Sequence, residues 1–293
     1  MYKNLNASAI GIHDVTLADT VRLAATTGFA GVDFSIEEAA QIAEVGGLDH
    51  LKEIFVNAGV RPGQWGLPVA WRDDERWEQD LARLPRLAAL GKALGCTRTA
   101  TWCPPASDDM PFEQNLRWHA DRFRPIAEVL KAHDCSLGIE FIGPATLRAG
   151  KRYPFIYTLE GMMELAALIE TGNVGLLLDA WHLYTSGGSV EDLDRISSAD
   201  IVTVHVNDAP AGVPLDAQVD NVRCLPLETG VIDLPAFMAK LAALGYEGPV
   251  TTEPFNQALN ELAARDPQAA ALRVSVQMDK LWQAAGCLSN HTK

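Results

Sequence analysis

The sequence predicts a single-domain (β/α)8 barrel, and three observations carry that expectation. Eight short apolar runs alternate with longer amphipathic stretches from one end of the chain to the other. Runs such as GLLLD and IVTVHV are apolar on both faces, as parallel strands covered on both sides must be. No break in composition divides the 293 residues, a length that such barrels reach as one domain.

The strands are read at 5–12 (LNASAIGI), 30–35 (AGVDFS), 60–68 (VRPGQWGLP) and 96–102 (CTRTATW). Four more follow at 135–143 (CSLGIEFIG), 173–181 (NVGLLLDAW), 200–208 (DIVTVHVND) and 248–255 (GPVTTEPF). The first helix is expected over 16–28, with Thr16 as N-cap, Leu17, Val21 and Ala24 on one face, and Gly28 as the stop. The segment 73–95 places Trp77, Leu81, Leu84, Ala88 and Leu94 along one stripe, and Pro85 is expected to bend it. Further helices are read at 113–133, 159–171, 189–198 and 233–245, and 256–285 as two pieces broken near Pro267. Glycine punctuates the helix-to-strand turns in TGFAGVD and LGYEGPV. The barrel is expected to occupy 1–288, leaving 289–293 as a polar tail.

Bulk properties narrow the function. The formal charge is −14, from 38 acidic against 24 basic residues. Such a field repels polyanions and argues against a nucleic-acid partner. The five cysteines, at 96, 103, 135, 224 and 287, form no CxxC pair and read as buried small apolar residues rather than a disulfide framework. No segment approaches a membrane span and the N-terminus has no leader pattern, so a soluble cytoplasmic protein is expected. Neither GxGxxG nor GxxxxGK[ST] is present, which leaves the common nucleotide-binding sheets without support. The acidic surface and abundant helices are compatible with a homo-oligomer.

In such barrels the chemistry comes from the carboxyl ends of the strands. Strand five ends in Glu140 and strand six in Asp179, with His182 one turn later. Strand seven carries His205 and strand eight Glu253. Taken singly, each has an ordinary explanation as a cap, a salt-bridge partner or a core imidazole. Together, four successive apolar strands each deliver one metal-capable side chain. Buried carboxylates cost several kcal/mol unless they are paired or cation-bound, and three of them without a cation would force one to protonate. Three carboxylates and one imidazole suit a single divalent ion: Mn²⁺, Mg²⁺, Co²⁺ or Zn²⁺.

The order and spacing of GIEF, LLLDAWH, VTVHVND, LPLETGVID and TTEPF resemble the sugar phosphate isomerase/epimerase family of xylose isomerase-like barrels. The resemblance covers essentially the whole chain and is strongest from strand five onward. It implies Glu140, Asp179, His205 and Glu253 as metal ligands, with Glu140 and Glu253 also moving the proton beside the substrate carbonyl. It implies His182 at the substrate oxygen on which charge develops, and Arg223 as the group that orients the substrate and a ligand glutamate. The implied reaction is isomerisation or epimerisation of a sugar, sugar phosphate or related polyol ketone through a metal-stabilised enediolate. Loss of a β-hydroxyl on the same scaffold gives the alternative, a dehydratase of keto-inositol or dehydroshikimate type.

The sequence departs from sugar epimerases at Thr146 and Ala211, where they often place a glutamate and an arginine. Arg148, Lys151 and Arg152, beside Tyr153, Phe155 and Tyr157, read either as an anion clamp at the mouth or as a solvated basic loop. Trp65, Trp71, Trp102 and Trp181 are candidate pocket walls, with core packing the equal alternative. His13 and Asp33 sit at the right height to touch substrate, and Trp102 and His13 join His182 and Arg223 as expected substrate contacts. His119 and His133 are read as surface residues of a helix. An abasic-site endonuclease on this scaffold would need histidines ending strands three and four, where the chain reads QWGLP and TATWCP. A non-catalytic sugar-acid binder would not need the acid–base pair.

Overall fold

The computed structural model describes residues 1–287. Eight parallel strands close into a barrel: β1 Tyr2–Leu5, β2 Gly31–Phe34, β3 Arg61–Gly66, β4 Arg98–Cys103, β5 Ser136–Phe141, β6 Val174–Asp179, β7 Ile201–His205 and β8 Pro249–Thr251. Each pairs with its neighbours in sequence, and β1 pairs with β8 to complete the ring. The helices around it are α1 Leu17–Thr27, α2 Ile36–Ala58, α3 Asp74–Ala93, α4 Phe112–Lys131, α5 Leu159–Ile169, α6 Ala180–Thr185, α7 Leu234–Ala243, α8 Gln257–Ala263 and α9 Pro267–Ala284. A two-residue antiparallel pairing, Ala106–Ser107 with Tyr153–Pro154, ties the loops after β4 and β5 together. The expected tail at 289–293 lies outside the described residues.

Local chemistry explains most boundaries. Thr16 caps α1 by accepting from Asp19 N–H, and Gly28 ends it with φ 82°, as the sequence predicts. Asp73 caps α3, which continues as one helix through Pro85. The C-terminal pieces break before Pro267, which opens α9 behind its cap Asp266.

Three expectations need correction. The first strand is Tyr2–Leu5 rather than 5–12; Ser8–Ile10 forms a 3-10 turn closed by Gly11 at φ 82°. The apolar residues Ile10 and Ile12 that suggested a strand are buried from this turn instead. Helix α2 has no counterpart in the sequence reading; its pattern is interrupted by Gly47, which sits at φ 85°, ψ 163° and breaks the helix there. The stretch 189–198 forms only a 3-10 helix, Val190–Arg195.

Apolar side chains of the strands and the inner helix faces form one core, with Trp65 and Trp181 among its fully buried members. All five cysteines are free thiols; Cys96, Cys103 and Cys135 are buried, and Cys224 and Cys287 are partly so. Among the described residues no helix is long and apolar enough to cross a membrane.

Register places the site. Asp179 at the end of β6 lies opposite His205 on β7, and His205 opposite Thr251 on β8. Glu140 on β5 lies opposite Trp102 on β4, and Asp33 on β2 opposite Gln64 on β3. Neighbours in register on parallel strands present their side chains to the same face, so these groups share the barrel mouth.

Candidate metal centre

Glu140, Asp179 and His205 each present a ligand-capable atom within 4.8 Å of the other two, and all three are buried. Glu253 joins them through His205: its Oε2 lies 3.1 Å from His205 Nδ1. Glu140 Oε1 stands 3.8 Å from the same nitrogen. The four residues that the sequence singled out on strands five to eight are therefore side by side.

Asp179 shows the ordinary explanation and the functional one at once. Its Oδ1 caps α6 by accepting from Trp181 N–H at 2.7 Å, and its Oδ2 accepts from Arg223 Nη1 at 2.8 Å. The others are under-satisfied. Glu140 Oε1 and His205 Nε2 are buried without a hydrogen-bond partner, while His205 Nδ1 faces Glu253 at 3.1 Å. Buried polar atoms are almost always paired, so two orphans at one point mark a missing partner. A divalent cation fits the set, since oxygen and imidazole donors converge and each carboxylate oxygen keeps a second lone pair.

Electrostatics agree. Burial raises the Glu140 pKa well above the usual carboxylate range; His205 and Arg223 oppose the rise, while Asp179 and Glu253 add to it. Burial would lower the His205 pKa, but Glu253, Glu140 and Asp179 outweigh it and push it up to about 10. Burial also opposes ionisation of Glu253, yet His205 and Arg223 hold its pKa below the usual value. Without a cation the imidazolium of His205 thus supplies the positive charge that the carboxylates demand.

His182 lies beside this cluster, its Nε2 3.8 Å from Glu140 Oε1. Burial, then Arg223, lower its pKa to about 3, so the ring is neutral. Gly143 N–H lies 3.1 Å from Nδ1 and Arg223 Nη2 3.1 Å from Nε2; both neighbours are donors, so the neutral ring, with one acceptor nitrogen, accepts from one of them. Arg223 Nη2 also donates to Asp220 at 2.8 Å. Gly143 is required at this approach, because a Cβ there would sit 2.2 Å from His182 O. Arg223 stacks between Trp181 and Phe255, with ring centroids at 4.5 and 5.0 Å.

The remaining expectations divide. Trp102 is 43% exposed on the mouth, with Arg72 over its ring, as a pocket wall can be. Trp65, Trp71 and Trp181 are buried in the core instead, Trp65 donating to Cys96 O and Trp71 to Thr101 Oγ1. His13 is exposed and lines a cavity with Asp33. The loop basic residues are engaged locally: Lys151 pairs with Asp108, Arg148 donates to Gly143 O and stacks on Tyr157, and Arg152 lies over Tyr153. Thr146 donates to Gln218 O.

His119 is a correction. It is only 2% exposed, packed against Trp71, Trp118, Phe123 and Phe155. Its helix turns this face to the core, since Leu116, Ala120 and Phe123 are buried beside it. His133 is partly buried in the turn after α4 rather than within the helix.

Sequence reasoning missed the residues that hold the site in place. Asn6 donates to Glu253 Oε1 at 3.3 Å, and Asn207 Oδ1 accepts from Glu253 N–H at 2.7 Å. Asp208 gathers Thr229, Gly230 and Ile232 N–H groups and so fixes the LETG turn. Asn4 donates to Asp33 and Thr251. Asn207 and Asp208 come two and three residues after His205 in VTVHVND, which was the available signal; Asn4 and Asn6 carry none.

The comparison with known proteins places the molecule. A family model described as "Xylose isomerase-like TIM barrel" matches residues 21–277. The chain belongs to the xylose isomerase-like TIM barrel family. Within it, the chain is similar to an inosose isomerase of Halalkalibacterium halodurans, 22% identical over 79% of each chain. It is also similar to a 3-dehydroshikimate dehydratase of Pseudomonas aeruginosa, 27% identical over 70% of this chain and 31% of that one. The solved xylose isomerase domain protein of Alicyclobacillus acidocaldarius superposes with TM-score 0.85 at 28% identity, covering 98% of this chain and 99% of the other.

Proposed function

We propose that this xylose isomerase-like barrel is a divalent-metal-dependent isomerase or epimerase acting on a sugar or related polyol ketone through an enediolate. The observation that carries the reading is the convergence of Glu140, Asp179 and His205 within 4.8 Å, with Glu140 Oε1 and His205 Nε2 unpaired. Glu140, Asp179, His205 and Glu253 would hold the ion. When bound, the ion supplies a Lewis acid that polarises the carbonyl and a neighbouring hydroxyl.

The side chains then divide the work. Glu253, kept ionised by His205 and Arg223, is the group suited to accept a proton from the carbon beside the carbonyl. Glu140, the second carboxylate of the cluster, with Oε1 3.8 Å from His205 Nδ1, is suited to return one. His182, beside Glu140, is placed to meet the oxygen on which charge develops. Arg223, paired with Asp179 and Asp220, fixes the orientation of the Asp179 carboxylate. Trp102 offers an exposed ring at the mouth.

Incubation of sugars, sugar phosphates and inososes with the protein and Mn²⁺ in deuterated water tests the reading. Solvent deuterium is expected at one carbon, and Glu253→Gln should slow its entry by about 10²-fold or more. A product absorbing in the enone region would identify the dehydratase branch, the reading supported by the similarity to the Pseudomonas protein. Absence of exchange from every ketone, or no affinity for any divalent ion, overturns the proposal.

A further inference from the structure

We propose that the cavity beside Glu253 receives an uncharged polyhydroxylated part of the substrate and excludes phosphorylated and carboxylated ones. The inference rests on the enolising site proposed above and names the substrate class that site takes.

A cavity of about 500 Å³ opens at the carboxyl ends of β1–β3, within the size range of small-molecule sites. Asn6 lines it and donates to Glu253 Oε1 at 3.3 Å, so the cavity adjoins the proposed base. Its polar lining includes Asn6, His13 and Gln64 with the carboxylates of Asp14, Asp33 and Glu38. Among the described residues no lysine or arginine lines it.

An independent observation points to a hydroxyl ligand. Gln64 is 6% exposed, and its Oε1 has no hydrogen-bond partner. Its Nε2 donates to Asp33 Oδ2 at 3.1 Å, so the amide is anchored and its oxygen is an acceptor in want of a donor. A hydroxyl supplies that donor; a phosphate or carboxylate at neutral pH supplies only more acceptors. Burial, partly offset by His205, Asn4 and Gln64, raises the Asp33 pKa to about 7, which marks a site already averse to negative charge.

The cations of the mouth are committed elsewhere. Arg223 pairs with Asp179 and Asp220, and Lys151 with Asp108. Arg148 is held by Gly143 O and Tyr157, and Arg72 lies over Trp71 and Trp102. An anionic group in the cavity would therefore meet carboxylates without a compensating charge.

Calorimetric titration of the Mn²⁺-supplied protein with myo-inositol, myo-inositol 1-phosphate and shikimate tests this, because none of the three is a ketone and turnover does not enter. Inositol is expected to bind at least tenfold more tightly than either anion. Gln64→Leu should weaken inositol about tenfold. Because Gln64 also holds Asp33, Val15→Lys is the second variant: Val15 lines the cavity and is 36% exposed. It should shift the anion-to-inositol ratio about tenfold toward the anions. Equal or tighter binding of either anion to the unmodified protein overturns the inference, as does inositol affinity indifferent to Gln64→Leu together with an anion-to-inositol ratio indifferent to Val15→Lys. Failure of deuterium exchange with inositol preference intact would instead sink the enolisation reading alone.

Discussion

Arg223 Nη1 donates to Asp179 Oδ2 at 2.8 Å, and the two residues are 4% and 0% exposed. This is a buried ion pair whose carboxylate also caps α6. Removing one partner strands a charge in the interior, which costs about 3–5 kcal/mol, whereas removing both costs far less. Arg223→Met is expected to lower unfolding stability by that amount in urea titrations. Adding Asp179→Asn to it should recover part of the loss. A single-variant cost below about 1 kcal/mol would show the pair to be no stronger than a surface bridge.

Divalent ions should stabilise the folded chain. An ion that binds only the native state adds about 2.7 kcal/mol when present at a hundred times its dissociation constant. Mn²⁺, Co²⁺ or Zn²⁺ is expected to raise the Tm of chelator-treated protein, and His205→Ala should abolish most of the rise. An equal rise in wild type and variant would place the ion elsewhere.

Acid sensitivity should trace in part to His119. Burial lowers its pKa to about 4, against the opposing bond to Asn115 O, with Arg72 adding to the fall. The folded value lies below the unfolded one of about 6.5. Its contribution is therefore complete above pH 6.5 and is lost as pH falls toward 4, because only the unfolded chain takes up the proton. His119→Phe keeps an aromatic ring in the cluster and should flatten the urea-stability profile between those limits. An unchanged slope would remove His119 from the account.

Gly143→Ala should be severe for its size. The added methyl carbon would meet His182 O at 2.2 Å and Thr185 Oγ1 at 2.5 Å, so α6 must shift and carry His182 with it. Overpacking of this kind costs about 1–3 kcal/mol or more, read as a lower urea midpoint. A neutral substitution would mean that the strand-five loop and α6 are not in close approach.

Much of the barrel was legible because its signals are local. Thr16 and Gly28 bound α1 through capping chemistry that depends on neighbours a few residues away. The apolar runs ending in Glu140, Asp179 and His205 mark the site because a charged group in a buried strand demands a reason. Helix α2 escaped notice because Gly47 interrupts its period. His119 was misjudged because one imidazole among polar helix residues gives no sign of the Trp71, Phe123 and Phe155 rings that enclose it.

By itself the sequence determined the strand–helix alternation and the four side chains that strands five to eight would deliver, since periodicity and burial of charge are properties of short segments. Tertiary structure alone decided that Gln64 and Asp33 share one face across β2 and β3, that Asn6 reaches Glu253, and that Gly143 closes on His182. Those relations depend on strand register and ring closure, which join residues far apart in the chain and leave no periodic trace along it.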